Sequence, residues 1–277
     1  MSLQDLFAST PGSGFSFASL GSGSRGNATV VRGSDGFLLV DCGFSLRVVE
    51  ERLALLGLSV AELRGILVTH EHSDHANGVA RLARAHSIPV FSTAGTARQV
   101  DFGTCTHIPI SARHTFTLAG LEVQPVVVPH DARDPVQFVF SDGSARLGVL
   151  TDAGHITPHM IDAYAGVDAL MLECNHDVEM LRGGRYPEPL KRRVGGPHGH
   201  LSNAQALGFL RAVGSSRLQT LVLAHLSEQN NLPEEAERVI RVGIQDVAGL
   251  SPEIGLARQN QGYGWTTVAA NQPTVTS

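Results

Sequence analysis

Apolar runs recur along the chain, and most of them stop at a polar residue or a glycine. Phe37-Leu38-Leu39-Val40, Ile66-Leu67-Val68, Ala169-Leu170-Met171-Leu172 and 220–224 are runs of this kind, and 121–128 is a further one that is mainly apolar. Bounded by turn-forming residues, they read as buried strands. Strands are also predicted over 15–20, 28–32 and 89–92, and a hairpin joins 137–140 to 146–150 around Ser141-Asp142-Gly143-Ser144. A helical rhythm shows where Leu46, Val49, Leu53 and Leu56 recur ahead of Gly57, predicting a helix over 46–56. Further helices are predicted over 76–86, 93–100, 156–164, 201–213 and 233–247. The last opens on Pro233 and early acids, which suit the positive end of a helix. Between 102 and 118 only Phe116-Thr117-Leu118 suggests a strand, and 180–199 is rich in Gly, Pro and Arg with little periodicity. The stretch 255–268 reads as one closing edge strand. Strands thus crowd the first third and then alternate with helices, the pattern of an α/β domain.

What stands at the strand ends changes the picture. Ile66-Leu67-Val68 runs into Thr69-His70-Glu71-His72-Ser73-Asp74-His75, with three histidines and two acids in seven residues. His70 and His72 lie two apart and point the same way in an extended chain. Asp74 and His75 follow as the chain turns towards a helix, so one short loop can serve two metal ions. The same arrangement recurs: Val40 leads into Asp41, Val128 towards His130, Leu150 towards Asp152, and Ala224 into His225. Any one of these alone is more often a capped or solvated polar residue. Five together point to a shared site, since loops at strand ends are where α/β proteins place their chemistry.

His70-x-His72-x-Asp74-His75 after an apolar strand resembles the signature of the metallo-β-lactamase superfamily. That resemblance implies an αββα sandwich: two mixed β-sheets face to face, helices outside, and a site at one edge. It assigns His70, His72 and His130 to one metal, Asp74, His75 and His225 to a second, and Asp152 to the bridge between them. Asp41 is then a support for the histidine loop. The expected cofactors are two divalent transition-metal ions, Zn or Mn, with Fe also suited to such ligands. Two ions of this kind activate water for hydrolysis.

Ser22-Gly23-Ser24-Arg25-Gly26-Asn27, Thr151-Asp152-Ala153-Gly154, Asn175-His176-Asp177 and Gly199-His200-Leu201-Ser202-Asn203 are together similar to the YycJ/WalJ branch of that superfamily. The branch resembles the nuclease and phosphodiesterase members, which implies a metal-dependent nuclease, of the DNA exonuclease type. Asp74, His176 and His200 are the expected catalytic residues, with Ser24, Asn27 and Asn175 supporting ligands or touching substrate. A Tyr common after the Thr-Asp-x-Gly element is His155 here, and the resemblance gives that position no role. His176 and His200 can bind phosphate or protonate a leaving alkoxide; they can equally be structural histidines holding a loop. A small-molecule hydrolase acting on a cyclic phosphate, lactone or thioester is the alternative on the same metals.

Composition narrows this less. With 277 residues, 42% hydrophobic, the chain can build a sizeable core. We expect a lead-in over 1–14 and a single domain over 15–277, since no linker or composition shift divides the chain. A net charge of −5 argues against nucleic-acid binding through overall charge but leaves room for a local basic groove. The basic cluster is Arg182 to Arg193, which holds Lys191, the only lysine; it is either a solvated face or a hold on a nucleic-acid backbone. Cys42, Cys105 and Cys174 form no metal clip or disulfide framework and read as small apolar side chains. Residues 1–14 lack a charged segment followed by an apolar core, and no apolar run approaches the ~18 residues of a membrane span. A cytoplasmic protein with a nucleic acid or other phosphodiester as partner, and no membrane, is the expectation.

Overall fold

The computed structural model describes residues 14–270. The lead-in expected over 1–14 lies outside them, apart from Gly14. Six strands come first: β1 (Ser16–Gly21), β2 (Ala28–Gly33), β3 (Gly36–Val40), β4 (Leu63–Leu67), β5 (Val90–Thr93) and β6 (His107–Ile110). Seven follow: β7 (Phe116–Leu118), β8 (Leu121–Val127), β9 (Val136–Ser141), β10 (Arg146–Leu150), β11 (Ala169–Glu173), β12 (Thr220–Ala224) and β13 (Glu253–Leu256). The chain closes on β14 (Tyr263–Thr267). They form two seven-stranded mixed sheets, ordered β14-β1-β2-β3-β4-β5-β6 and β13-β12-β11-β10-β9-β8-β7.

Three apolar clusters make the layers. Between the sheets, Phe17, Leu38 and Leu67 of the first meet Phe138, Leu147 and Val222 of the second. On the outer face of the first sheet, Val49 and Leu53 of the helix Leu46–Leu55 and Leu82 of the helix Val79–His86 cover Val30, Leu39 and Ile66. On the second, Met160, Phe209 and Ile240 of the helices Pro158–Tyr164, Asn203–Val213 and Pro233–Gly243 cover Leu170 and Leu221. Strands covered on both faces need apolar residues at every position, which is why β10 to β12 carry no alternation. The architecture is the expected αββα sandwich. Among the described residues, no helix is long and apolar enough to cross a membrane.

Strand direction gathers the site. β3 and β4 run parallel with Val40 beside Leu67, so Asp41 and Thr69 leave the sheet at one edge. β10, β11 and β12 are also parallel, with Leu150 beside Leu172, Leu172 beside Leu223 and Glu173 beside Ala224. Asp152, Glu173 and His225 therefore emerge at one level.

Four stretches differ from the sequence expectation. The helix expected over 76–86 is two, Ser73–Ala76 and Val79–His86, parted at Gly78. There the backbone presses on the segment that follows β3: a Cβ on Gly78 would lie 2.0 Å from Phe44 O. The segment 180–199 carries the short helices Val178–Gly183, capped by the Asp177 side chain, and Glu188–Val194. β6 lies within 102–118, where the sequence suggests a strand only at the far end; its four residues are all partly exposed at a sheet edge. Finally, 255–268 is two strands: β13 edges one sheet and β14 the other.

Candidate metal centre and its cavity

The loops at this edge bring seven ligand-type side chains together. One ligand atom each from His70, His72 and His130 lie within 4.8 Å of one another, as do those of Asp74, His75 and His225, and of His70, His75 and Asp152. Asp152 is thus placed between the two histidine groups. Asp74 Oδ2 lies 3.5 Å from Nε2 of both His75 and His225. The groups border a cavity of about 300 Å³ that also meets Ser24, Arg193 and His200.

Each ring is oriented from behind. Asp41 accepts from Thr69 N and Oγ1 and from His75 Nδ1, at 2.7–2.8 Å for the closest contacts. The Thr69 hydroxyl, having donated to Asp41, accepts from His70 Nδ1 at 2.9 Å. His130 Nδ1 donates to Gly199 O and His225 Nδ1 to Glu173 Oε1. These acceptors place the proton on Nδ1 and leave Nε2 as the inward lone pair. His72 is reversed: its Nε2 donates to Asp131 O, which leaves Nδ1 3.2 Å from His130 Nε2. Two lone pairs so close repel unless a cation or proton lies between them. His70 Nε2, His225 Nε2 and Asp152 Oδ2 are buried without a hydrogen-bond partner, a rare condition for polar atoms. The donor set therefore fits two divalent ions, and it contains no thiolate.

Backbone strain marks the same places. Asp41 and His225 both sit in the left-handed region, at φ 61° and 52°, a conformation rare outside glycine. It turns each side chain abruptly off the end of its strand into the cluster. In the protein without ions, burial drives the His225 pKa down but Asp152, with Asp74 and Glu173, outweighs it and raises it to about 9. Burial likewise opposes charge on Asp152, yet His225 and His75 hold it well below the usual carboxylate range.

A family model, the Beta-lactamase superfamily domain, matches residues 37–226, which contain the ligand loop and all its partners. The chain belongs to the metallo-β-lactamase superfamily. Within the superfamily it falls on the YycJ/WalJ branch and is a hydrolase. It is 37% identical over 239 residues to exodeoxyribonuclease YycJ of Bacillus anthracis, covering 84% of this chain and 90% of that protein. It is 34% identical over 231 residues to exodeoxyribonuclease WalJ of Streptococcus pneumoniae, covering 80% and 86%. The crystal structure of the metallo-β-lactamase fold protein YhfI from Bacillus subtilis superposes with a TM-score of 0.70 at 17% identity, covering 90% of this chain and 99% of that one.

Within this superfamily frame the remaining expected residues separate. His200 lies at the cavity, its Nδ1 2.7 Å from Glu173 and 3.3 Å from Asp152. Ser24 borders the cavity and is exposed. Asn27 is inside its own loop: its side chain accepts from Ser22 Oγ and Gly23 N, and its amide group lies 3.1 Å from His75 Nε2. Asn175 stands behind His225 and donates to its carbonyl at 3.1 Å. His176 is not on this cavity; it lines a separate one. His155 is exposed and its Nδ1 donates to Pro197 O, which ties it to the 195–199 loop.

Sequence reasoning gave no role to Glu173. It is fully buried, and its carboxylate accepts from His200, His225, Ala153 N and Leu201 N. The signal was present, because Glu173 ends an apolar strand as Asp41 and His225 do. Arg193 was seen only as part of a basic cluster, yet it sits at the cavity with its Nε on Asp131 Oδ2 at 2.5 Å.

Proposed function

We propose that this hydrolase is a two-metal phosphodiesterase whose substrate is nucleic acid, an exodeoxyribonuclease like the relatives it matches over most of its length. The observation that carries the reading is the combination of a seven-ligand cluster with His200 and Arg193 on one cavity. His70, His72, His130 and Asp152 would hold one ion, and Asp74, His75, His225 and Asp152 the other. Nitrogen and carboxylate ligands without sulfur suit Zn or Mn. When bound, such ions supply Lewis-acid activation of the phosphoryl group and of water.

The chain's own groups do the rest. His200 is held by Glu173 through Nδ1, so Nε2 is its remaining nitrogen. Burial lowers the His200 pKa, but Glu173 and Asp152 outweigh this and raise it to about 10. That holds the ring protonated in the protein without ions; with Nδ1 on Glu173, a protonated Nε2 can donate to a phosphoryl oxygen or to the leaving alkoxide. Arg193 spends one N–H on Asp131 and has others for an anionic oxygen, in the planar array that matches phosphate. Asp74 offers its own oxygen beside the Nε2 atoms of His75 and His225. A cytoplasmic setting, as expected from the sequence, belongs to the same reading.

The test is a panel of end-labelled single- and double-stranded DNA and RNA with Mn or Zn. Metal-loaded protein is expected to shorten DNA from one end and to lose this activity on chelation. Cleavage of bis-p-nitrophenyl phosphate with no cleavage of any nucleic acid would overturn the nuclease reading.

A further inference from the structure

The helix Glu188–Val194 separates two cavities. Leu190, Arg193 and Val194 face the metal cluster, whereas Glu188, Lys191 and Arg192 face a second cavity of about 580 Å³. At ~100° per residue these sets lie on opposite sides of one helix, so the cavities are about one helix diameter, ~10 Å, apart.

Two features of the second cavity are unexplained by folding. His176, on its wall, is 3% exposed, and its Nδ1 is buried without a hydrogen-bond partner. A solvated face has no need of a buried, unsatisfied imidazole. The second feature is charge. Arg182, Lys191 and Arg192 line the cavity with one acid, Glu188, and Arg182 is paired with Glu179 at 2.8 Å just outside it. Glu188 is already paired with Lys191 at 3.1 Å. Arg192 is exposed and has no hydrogen-bond or ion-pair partner among the described residues. Gln205 spends its carbonyl oxygen on Ser202 and leaves its amide N–H groups over. The wall therefore presents cations and neutral donors.

We infer that this cavity binds a backbone phosphate of the substrate strand away from the scissile one, with Arg192 as the charge and His176 as the buried hydrogen-bonding group. The inference rests on the nuclease reading and deepens it. A separation of ~10 Å corresponds to about three stacked nucleotides at 3.4 Å each. The subsite would thus be reached by a polynucleotide and missed by a small diester. Burial pushes the His176 pKa down to about 4, so its ring is neutral at working pH and hydrogen-bonds without adding charge.

The test compares Arg192→Glu and His176→Ala with the parent metal-loaded enzyme. One substrate is a single-stranded DNA long enough to span both cavities, and the other is bis-p-nitrophenyl phosphate. For Arg192→Glu the KM on DNA should rise about tenfold with kcat unchanged, and the slope of log KM against log salt should shrink by about 0.7 per lost phosphate contact. The small diester should be hydrolysed as before. His176→Ala should raise the DNA KM in the same sense. Unchanged DNA KM in Arg192→Glu, in an enzyme that cleaves DNA, overturns the subsite and leaves the nuclease reading intact. Parent enzyme that hydrolyses only the small diester overturns both. Because Arg192 is exposed and unpaired, its substitution decides the matter even where His176→Ala does not fold.

Discussion

Glu173 is the residue on which the support of the metal ligands depends. Both its oxygens are fully used, one by two imidazole N–H groups and the other by two backbone N–H groups. Four donors converge on one carboxylate, and an amide cannot satisfy them. In Glu173→Gln, one side of the group becomes a donor and faces either the histidines or the backbone amides. Leaving buried donors unsatisfied costs about 1–3 kcal/mol, and disturbing a group that orients ligands costs ten- to a hundredfold in metal affinity, roughly. Glu173→Gln should therefore lower the denaturation midpoint of the metal-free protein and weaken metal binding, read by competition with a chromophoric chelator. Unchanged affinity for both ions would show that His225 does not need Glu173 to hold its tautomer. The ligands themselves were legible in the sequence because each follows an apolar run directly or within a few residues. Glu173 shares that position. It was missed because a carboxylate that receives four N–H groups looks, in sequence, like any acid capping a strand.

At the scale of elements, what matters is how closely the ligand loop can approach its neighbours. Gly43 follows β3, and a Cβ there would lie 1.9 Å from the carbonyl oxygen of Asp74 and 2.8 Å from Gly26 Cα. Three segments meet at that point: the end of β3, the turn carrying Asp74 and His75, and the Gly/Ser loop. The contact is backbone against backbone, so no side chain can swing away. Gly43→Ala should cost about 1–3 kcal/mol as overpacking does, and the displacement falls on Asp74 and His75. One ion should then be held nearly as before and the other, on Asp74, His75 and His225, more weakly, as metal titration with elemental analysis will show. Gly208 is the contrast: it lies in the helix Asn203–Val213, and a methyl placed on it would meet nothing within 4 Å. Gly208→Ala should stabilise by about 0.5–1 kcal/mol. Equal effects of the two substitutions would deny Gly43 its special place. Elements that cover the core were readable from periodicity. The helices Val178–Gly183 and Glu188–Val194 were not, because only Leu181 among their residues is buried. A helix that lines cavities instead of packing on a core has no apolar stripe to betray it. For the same reason the separation of His176 from His200 was invisible: the wall between their cavities is the helix that the sequence did not announce.

For the whole molecule, metal and protons compete for the same cluster, and this fixes how its stability depends on pH. Without ions, burial disfavours charge throughout; it wins at His70 and His130, whose pKa values are lowered, while the neighbouring carboxylates win elsewhere: His225 is raised to about 9, His200 to about 10, and His75 well above the ordinary 6.5. A histidine whose pKa is higher folded than unfolded stabilises the fold fully below its unfolded value and loses that contribution as pH rises through its folded value. The window is therefore from about 6.5 to about 10. Asp74 and Asp152 are depressed instead, by His75 and His225 against the opposing effect of burial. Their contribution holds above the ordinary carboxylate range and is lost only in acid below it. The metal-free protein should hence melt at steadily lower temperature from neutral pH towards pH 10. Ion-loaded protein needs His75 and His225 neutral at Nε2, so its melting temperature should change less across the same range. The two curves share every other titrating group, which makes their divergence specific to the cluster. Loading should also release protons from His75 and His225, about two near neutrality, and fewer as pH passes 9, measurable by titration in unbuffered solution. Parallel melting curves together with no proton release near neutrality would mean that the imidazoles are already neutral without metal. The attraction between imidazolium and carboxylate would then contribute nothing to holding the metal-free fold together.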